Sequence, residues 1–264
     1  MENRVIFHID VNSAFLSWTA AYRVRHLGQT LDLRDVPAVI AGDKSSRHSI
    51  ILAKSIPAKK YGVRTGEPLD MALEKCPELV IAEPDYELYV SASRSLMALL
   101  REYSPLVEQF SIDEAWMDMT GTAGLFGPPV LAAEQLKDRI RRELGFTVNI
   151  GISCNKLLAK MAGDFEKPDK VHTLFPDEIP QKLWGLPVGE LFMVGRATER
   201  KLRGMGLTTI GKLAQTDPVF LRRKLGKQGE MLWQYANGRG MMQVRAQAEA
   251  NKGYGNSFTT PCDV

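Results

Sequence analysis

Residues 107–118 place two adjacent carboxylates, Asp113 and Glu114, inside a run that otherwise reads as half-buried β-structure. Val107, Phe110, Ile112, Ala115, Trp116 and Met117 supply the strand character around them. Neighbours on an ideal strand point to opposite faces, so the two carboxylates can share a ligand only if the chain turns sharply there, as at the tip of a hairpin. A side-by-side acidic pair on a rigid tip suits a divalent cation that takes oxygen ligands. Taken alone, the pair would equally serve a solvated turn, where Asp and other polar residues collect.

The start of the chain bears on that choice. Residues 4–9 form an apolar strand that runs into a third carboxylate, Asp10, just before a helical stretch. A buried strand that delivers a lone carboxylate has a charge to satisfy. Three acidic groups around one or two Mg²⁺ ions would satisfy it and would form a phosphoryl-transfer site. His8 shares the strand face of Asp10 by period two and so can touch the same site. A packed strand histidine is the plainer reading, since His26, His48 and His172 form no ligand spacing with it.

The order of elements brings these groups together. Residues 14–25 have helical periodicity, and 37–41 and 49–53 read as strands around a polar turn at 42–47. That turn lacks the glycine and lysine spacing of a P-loop. Short helices are expected at 56–61, with Pro57 in the first turn, and at 69–75, then a strand at 79–82. Residues 86–103 carry a longer amphipathic helix, 129–144 a second, 147–152 a strand and 155–165 a third helix. With the small α/β insert set aside, strand, helix, hairpin, helix and strand make a split βαβ, ferredoxin-like α+β arrangement. In that topology the first strand and the hairpin are neighbours, which puts Asp10 beside Asp113 and Glu114.

From residue 177 the character is all helical. Met193, Gly195, Arg196, Gly204 and Gly206 mark a helix, a tight turn and a second helix that resemble a helix–hairpin–helix, able to hold a nucleic-acid phosphate on backbone N–H groups without reading sequence. Charge agrees in sign: residues 174–264 hold 13 Lys and Arg against 8 Asp and Glu, whereas residues 1–173 hold 21 against 23. A basic last third fits a phosphate grip, and equally fits a solvated helix surface. Cys76, Cys154 and Cys262 are few, odd in number and far apart, which argues for a reducing compartment and against a disulfide framework or zinc cluster. With no signal peptide or membrane-length apolar run, a cytoplasmic location is expected.

A set of motifs in fixed order carries a family resemblance. Residues 8–15, then 58–63, 111–115, 151–160, Lys167-Pro168 and the turn at Gly195 match the Y-family translesion DNA polymerases, the bacterial polymerase IV and UmuC-like group. The resemblance spans roughly residues 4–242 and implies a palm from 1–14 plus 85–174, fingers from 15–84 and a helical thumb from 175–242. It implies that Asp10, Asp113 and Glu114, with the backbone carbonyl of Val11, bind two Mg²⁺ ions. It implies that Phe15 is a steric gate beneath the sugar, that Lys59 and Lys167 meet the triphosphate of the incoming dNTP, and that Lys156, Gly195 and Arg196 contact DNA.

The implied activity is template-directed transfer of a nucleotide to a primer 3′-OH by a monomer, with primer–template DNA as partner and no proofreading. Departures from the pattern are visible. Ile56 stands where relatives often have Tyr, Lys59 where many have Arg, and Met193 where a Gly is common. Lysine is a point charge without the planar fork of arginine, so the triphosphate grip would lean on neighbours. Residues 243–264 read as a linker and the start, near 257–260, of a DNA-gripping little-finger domain. The chain is thus expected to be truncated before that domain and before the sliding-clamp motif that usually follows it. Two other functions share part of the pattern: a metal-dependent nucleotide cyclase on the same palm fold, and a DNA-binding scaffold without catalysis.

Overall fold

In a computed structural model, which describes residues 4–42, 49–240, 243–246, 253 and 255, the first strand is the centre of the molecule. β1 (Ile6–Val11) is buried along its whole length. It can be, because it lies between two antiparallel neighbours, and both of its faces are covered. After it come α1 (Ala14–Arg25), β2 (Ala38–Ala41), β3 (Ile51–Lys54), α2 (Ile56–Lys60), α3 (Leu69–Lys75) and β4 (Val80–Ala82). Then follow α4 (Tyr86–Arg101), β5 (Val107–Gln109), β6 (Glu114–Asp118), α5 (Ala123–Phe126), α6 (Pro129–Leu144), β7 (Val148–Ser153), α7 (Lys156–Gly163) and β8 (Val171–Thr173). The last part is helical: α8 (Ile179–Lys182), α9 (Arg196–Gly204), α10 (Ile210–Ala214), α11 (Pro218–Leu225) and α12 (Lys227–Ala236). The strand expected near 257–260, Cys262 and most of the turn at 42–47 lie outside the described residues.

The main sheet runs β5-β6-β1-β7-β8. β1 is antiparallel to β6 and to β7, and β5 and β6 form the hairpin, which is the split βαβ order. β8 adds a parallel fifth strand beside β7, and the sequence pattern gave no sign of it. Phe7, Ile9 and Val11 point to one face, where α4 and α6 cover them with Leu96, Leu100, Leu136 and Ile140. α1 delivers Leu16, Trp18 and Ala20 to this same core, which also takes in Ala38, Ile40, Ala53 and Ala82 from the strands of the inserted lobe, so this helix packs between α4 and that lobe. That lobe has its own sheet, β3-β2-β4, and its own small core around Val39, Ile51, Ala58 and Leu69.

The opposite face of the main sheet carries His8, Asp10, Glu114 and Trp116, and α7 lies across it, with Ala159 against Ile6 and Trp116. The approach is close because two glycines face each other. A Cβ on Gly151 of β7 would meet the Ala159 carbonyl oxygen at 1.9 Å and the Gly163 nitrogen at 2.4 Å. Leu157, Leu158, Met161 and Ala162 of α7 join the core of the helical part, with Leu183, Leu202, Leu213 and Leu232. One short helix therefore touches both the sheet and the helical bundle. Cys76 and Cys154 are free thiols, and among the described residues no helix is long and apolar enough to cross a membrane.

Candidate active site

Register decides which carboxylates meet. Asp10 and Glu114 are directly opposed in the β1–β6 pair, so their side chains leave the same face of the sheet. The hairpin turn occupies residues 110–113, and Glu114 is the first residue of β6. Only Asp113 therefore sits in the turn, a correction to the picture of both carboxylates at its tip. Asp113 is tied to β1 through its backbone: its carbonyl accepts from the Val11 N–H at 3.1 Å. Its Oδ1 accepts from Ser111 Oγ at 2.6 Å.

Two lysines answer two of the carboxylates. Lys167 Nζ donates to Asp10 Oδ2 and also lies 2.9 Å from Asp164 Oδ1. Burial pushes the Asp10 carboxyl up, and the charge and hydrogen bond of Lys167 offset this only in part. Lys160 Nζ donates to Glu114 Oε2 at 2.6 Å, with His8 Nε2 on that same oxygen at 3.4 Å. Burial alone would raise Glu114, but the His8 ring beside it and the hydrogen bond and charge of Lys160 overcome it and hold the carboxyl at about 2.

Among the described residues no three His, Cys, Asp or Glu side chains converge closely enough to hold a metal ion. The physical reason lies in those two ion pairs: Asp10 and Glu114 each turn toward an ammonium instead of toward a common point. The donor set nevertheless suits a hard cation, being carboxylate oxygens with a backbone carbonyl at Val11 within reach of the same strand end. Asp10 supplies the observation that speaks for it. It is a buried carboxylate whose demand for positive charge Lys167 leaves partly unmet.

Phe15, in the first turn of α1, is half-buried and stacks on Tyr89 with ring centres 4.5 Å apart at 14°. Tyr86 meets it edge-on at 6.5 Å. Tyr89 is itself fully buried and its hydroxyl lies 3.2 Å from Thr19 Oγ1, so the ring under Phe15 is fixed. The left-handed backbone of Ser13 turns β1 sharply into α1 and sets Phe15 close after Asp10. Lys59 is exposed on α2. Its neighbour Lys54, at the end of β3, has its ammonium pushed down by burial first and by the charge of Lys59 second. Lys54, Lys59 and Arg64 thus put positive charges close together, with Glu67 offsetting them in part, a local field of a kind that anions seek.

Lys156 lies elsewhere than expected. Its side chain is buried, its ammonium is 2.6 Å from Glu108 Oε1 and 4.5 Å above the Trp116 ring, and its carbonyl accepts from Trp116 Nε1 at 2.9 Å. An ammonium engaged in this way is not presented to a phosphate. The oxygen left on Glu108 accepts from the Arg245 backbone N–H at 2.7 Å, and Val244 packs on Ile6 and Trp116. Gly195 and Arg196 are exposed at the start of α9, and Met193 holds a left-handed φ of 71°, the conformation that glycine takes without strain. Lys160, Lys54 and Tyr89 are the site residues to which the sequence assigned no role, and His8, read by its strand face as able to touch the site, lies against Glu114. For Lys160 the available signals were its place in the 151–160 motif and its position four residues after Lys156 on the same helix.

Comparison with known proteins follows the same division. A model described as the impB/mucB/samB family matches residues 9–164, and one described as the DNA polymerase-iota thumb domain matches residues 190–240. DNA polymerase IV of Clostridium acetobutylicum is 48% identical over 263 residues, covering 99% of this chain and 66% of that protein. DNA polymerase IV of Acetivibrio thermocellus is 40% identical over 264 residues, covering 99% of this chain and 64% of its own length. The chain therefore spans just under two thirds of these curated relatives. Among solved structures, a Y-family DNA polymerase chimera, Dbh-Dpo4(243-245)-Dbh, aligns with a TM-score of 0.81 at 23% identity, over 91% of this chain and 69% of that one. DinB from Sulfolobus solfataricus aligns at 0.79 and 24% identity, over 91% and 69%. At such identities the structural likeness speaks for the fold.

Proposed function

This chain belongs to the impB/mucB/samB family, and from that premise we propose that it forms the palm, fingers and thumb of a template-directed DNA polymerase of the translesion, Y-family type. The observation that carries the reading is the in-register pair of Asp10 and Glu114 on a buried strand end, with Asp113 hydrogen-bonded to the same strand through Val11. Asp10, Asp113, Glu114 and the Val11 carbonyl would hold Mg²⁺, two ions in the full reading. When bound, the metal supplies a stronger nucleophile from the primer 3′-OH and stabilises the charge on the leaving pyrophosphate.

The chain's own side chains do the selecting. Phe15, backed by the fixed ring of Tyr89, would pack against C2′ of the incoming nucleotide and leave no room for a 2′-OH. Lys59, helped by Lys54, would take the triphosphate as point charges in place of the fork that arginine offers. Lys167 would exchange Asp10 for a phosphate oxygen, a move open to a half-exposed side chain. Gly195 and Arg196 would hold the DNA backbone through N–H groups and charge, which positions DNA without reading sequence. The protein is proposed to act as a monomer. A sliding-clamp contact would belong to the length of its relatives that this chain does not cover.

Single-nucleotide incorporation tests the reading. Each of the four dNTPs is offered singly to a primed template with each template base in turn. Incorporation that follows base complementarity is expected. Addition indifferent to the template, or cyclic product from ATP without any primer, would overturn it.

A further inference from the structure

Lys160 is enclosed more fully than an ordinary ion-pair lysine. Its side chain is 12% exposed, and its ammonium lies 2.6 Å from Glu114 Oε2. It also lies 5.6 Å from the centre of the Phe110 ring and 5.7 Å from that of Phe192. The two rings are 6.5 Å apart and meet edge to face. Both stand at distances where an aromatic face attracts a cation, so the ammonium is held by one carboxylate and two rings. His8 is the other polar group on this carboxylate, 3.4 Å away.

The two walls come from different parts of the fold. Phe110 belongs to the hairpin turn and rests on Trp116 of the main sheet. Phe192 belongs to the loop before α9 and stacks on Tyr235 of α12 at 6.4 Å. Its backbone N–H points to Met161 Sδ of α7 at 3.4 Å. The Phe192 wall therefore depends on how the loop before α9 sits on α7, whereas Glu114 and Phe110 belong to the hairpin.

We propose that Lys160 is an internal counter-ion that competes with a divalent cation for Glu114, and that Phe192, carried by the thumb, sets how strongly it competes. The proposal rests on the metal-site reading given above. Its logic is that of any shared ligand: the ammonium occupies the Oε2 oxygen, so a cation must displace it before Glu114 can bind in full. Whatever steadies the ammonium against Glu114 weakens the cation by the same factor. Position of the thumb would then be felt at the carboxylates without any thumb residue touching them. In this role Lys160 is a positioning residue.

Binding of Mn²⁺ alone, measured by electron paramagnetic resonance on the protein without DNA or nucleotide, tests this. Lys160→Met should tighten Mn²⁺ binding about tenfold, a difference of about 1.4 kcal/mol. Phe192→Ala should tighten it by a smaller factor, on the order of threefold. Lys160→Arg keeps the charge and should stay near the wild type, whereas Glu114→Gln should weaken binding. Unchanged or weaker binding in Lys160→Met, with Glu114→Gln still weakened, would overturn the proposal and leave the metal site standing. An Arg variant that binds as tightly as the Met variant would also overturn it, since packing and not charge would then be the cause. If Glu114→Gln and Asp10→Asn bind as the wild type does, the metal-site reading itself fails.

Discussion

Glu114 shows how one residue's surroundings set its behaviour. Its carboxyl is held at about 2 against an ordinary value of 4.5. A depressed carboxylate adds stability that is complete above pH 4.5 and is lost as pH falls through 4.5 toward 2, up to about 3 kcal/mol here. Asp10, pushed up by burial, works in the opposite sense and gains as it protonates. Denaturant unfolding at pH 5 and pH 2.5 should therefore show a shallower acid loss for Glu114→Gln than for the wild type. An identical acid loss in both would mean that Glu114 is not held by His8 and Lys160. Phe15 gives a second prediction. Phe15→Ala should raise ribonucleotide incorporation relative to deoxynucleotide by on the order of 100-fold, read as the ratio of kcat/KM values. A ratio unchanged by the substitution would show that the ring does not gate the sugar. The carboxylates themselves were legible in the sequence, because a charged residue at the end of a buried strand is a local signal. Their lysine partners were not. Asp10 and Lys167 lie 157 positions apart and Glu114 and Lys160 lie 46 apart, and no pattern along the chain states where a long, flexible ammonium comes to rest.

At the scale of elements, α7 is the piece on which the site depends. It sets Lys160 above Glu114 and leads into the loop that carries Lys167, and it does so because Gly151 and Gly163 let it press on β7. Gly151→Ala should cost at least about 3 kcal/mol or prevent folding, since the Cβ would overlap backbone atoms that cannot turn aside. Urea unfolding with wild-type stability in that variant would contradict the close packing. Lys156, at the start of the same helix, separates two roles. Lys156→Ala would leave Glu108 without its ammonium in a mostly buried pair and should destabilise the chain by about 3 kcal/mol, with little change in DNA affinity. Lost DNA affinity at unchanged stability would return Lys156 to a phosphate contact. Helices at Ala14–Arg25, Leu69–Lys75 and Pro129–Leu144 have the bounds expected for them; the last buries a clear apolar stripe at Ala132, Ala133, Leu136 and Ile140, whereas the first is buried on nearly all sides from Ala14 to Ala21. β8 is three half-buried residues whose strand character comes from pairing with β7, a long-range contact invisible to local pattern.

At the scale of the whole molecule, the order strand, helix, hairpin, helix, strand foretold the sheet, because only one neighbour arrangement closes a split βαβ. The joining of sheet and helical part through α7 was not legible, since Leu157, Leu158 and Met161 read as an ordinary apolar face whichever core receives them. On the proposed reading, Asp10, Asp113 and Glu114 make this sheet a metal-dependent polymerase site. Primer extension by the wild type and by Asp113→Ala, with dNTPs and primed DNA at saturating concentration and with or without Mg²⁺, tests it most directly. Asp113 suits the purpose because it contributes no lysine pair among the described residues, so its loss leaves both ion pairs standing. Extension by the wild type that needs Mg²⁺ and falls by a factor on the order of 1,000 or more in the variant is the predicted result. Extension that survives in Asp113→Ala, or that is absent from the wild type at saturating DNA, would contradict the account.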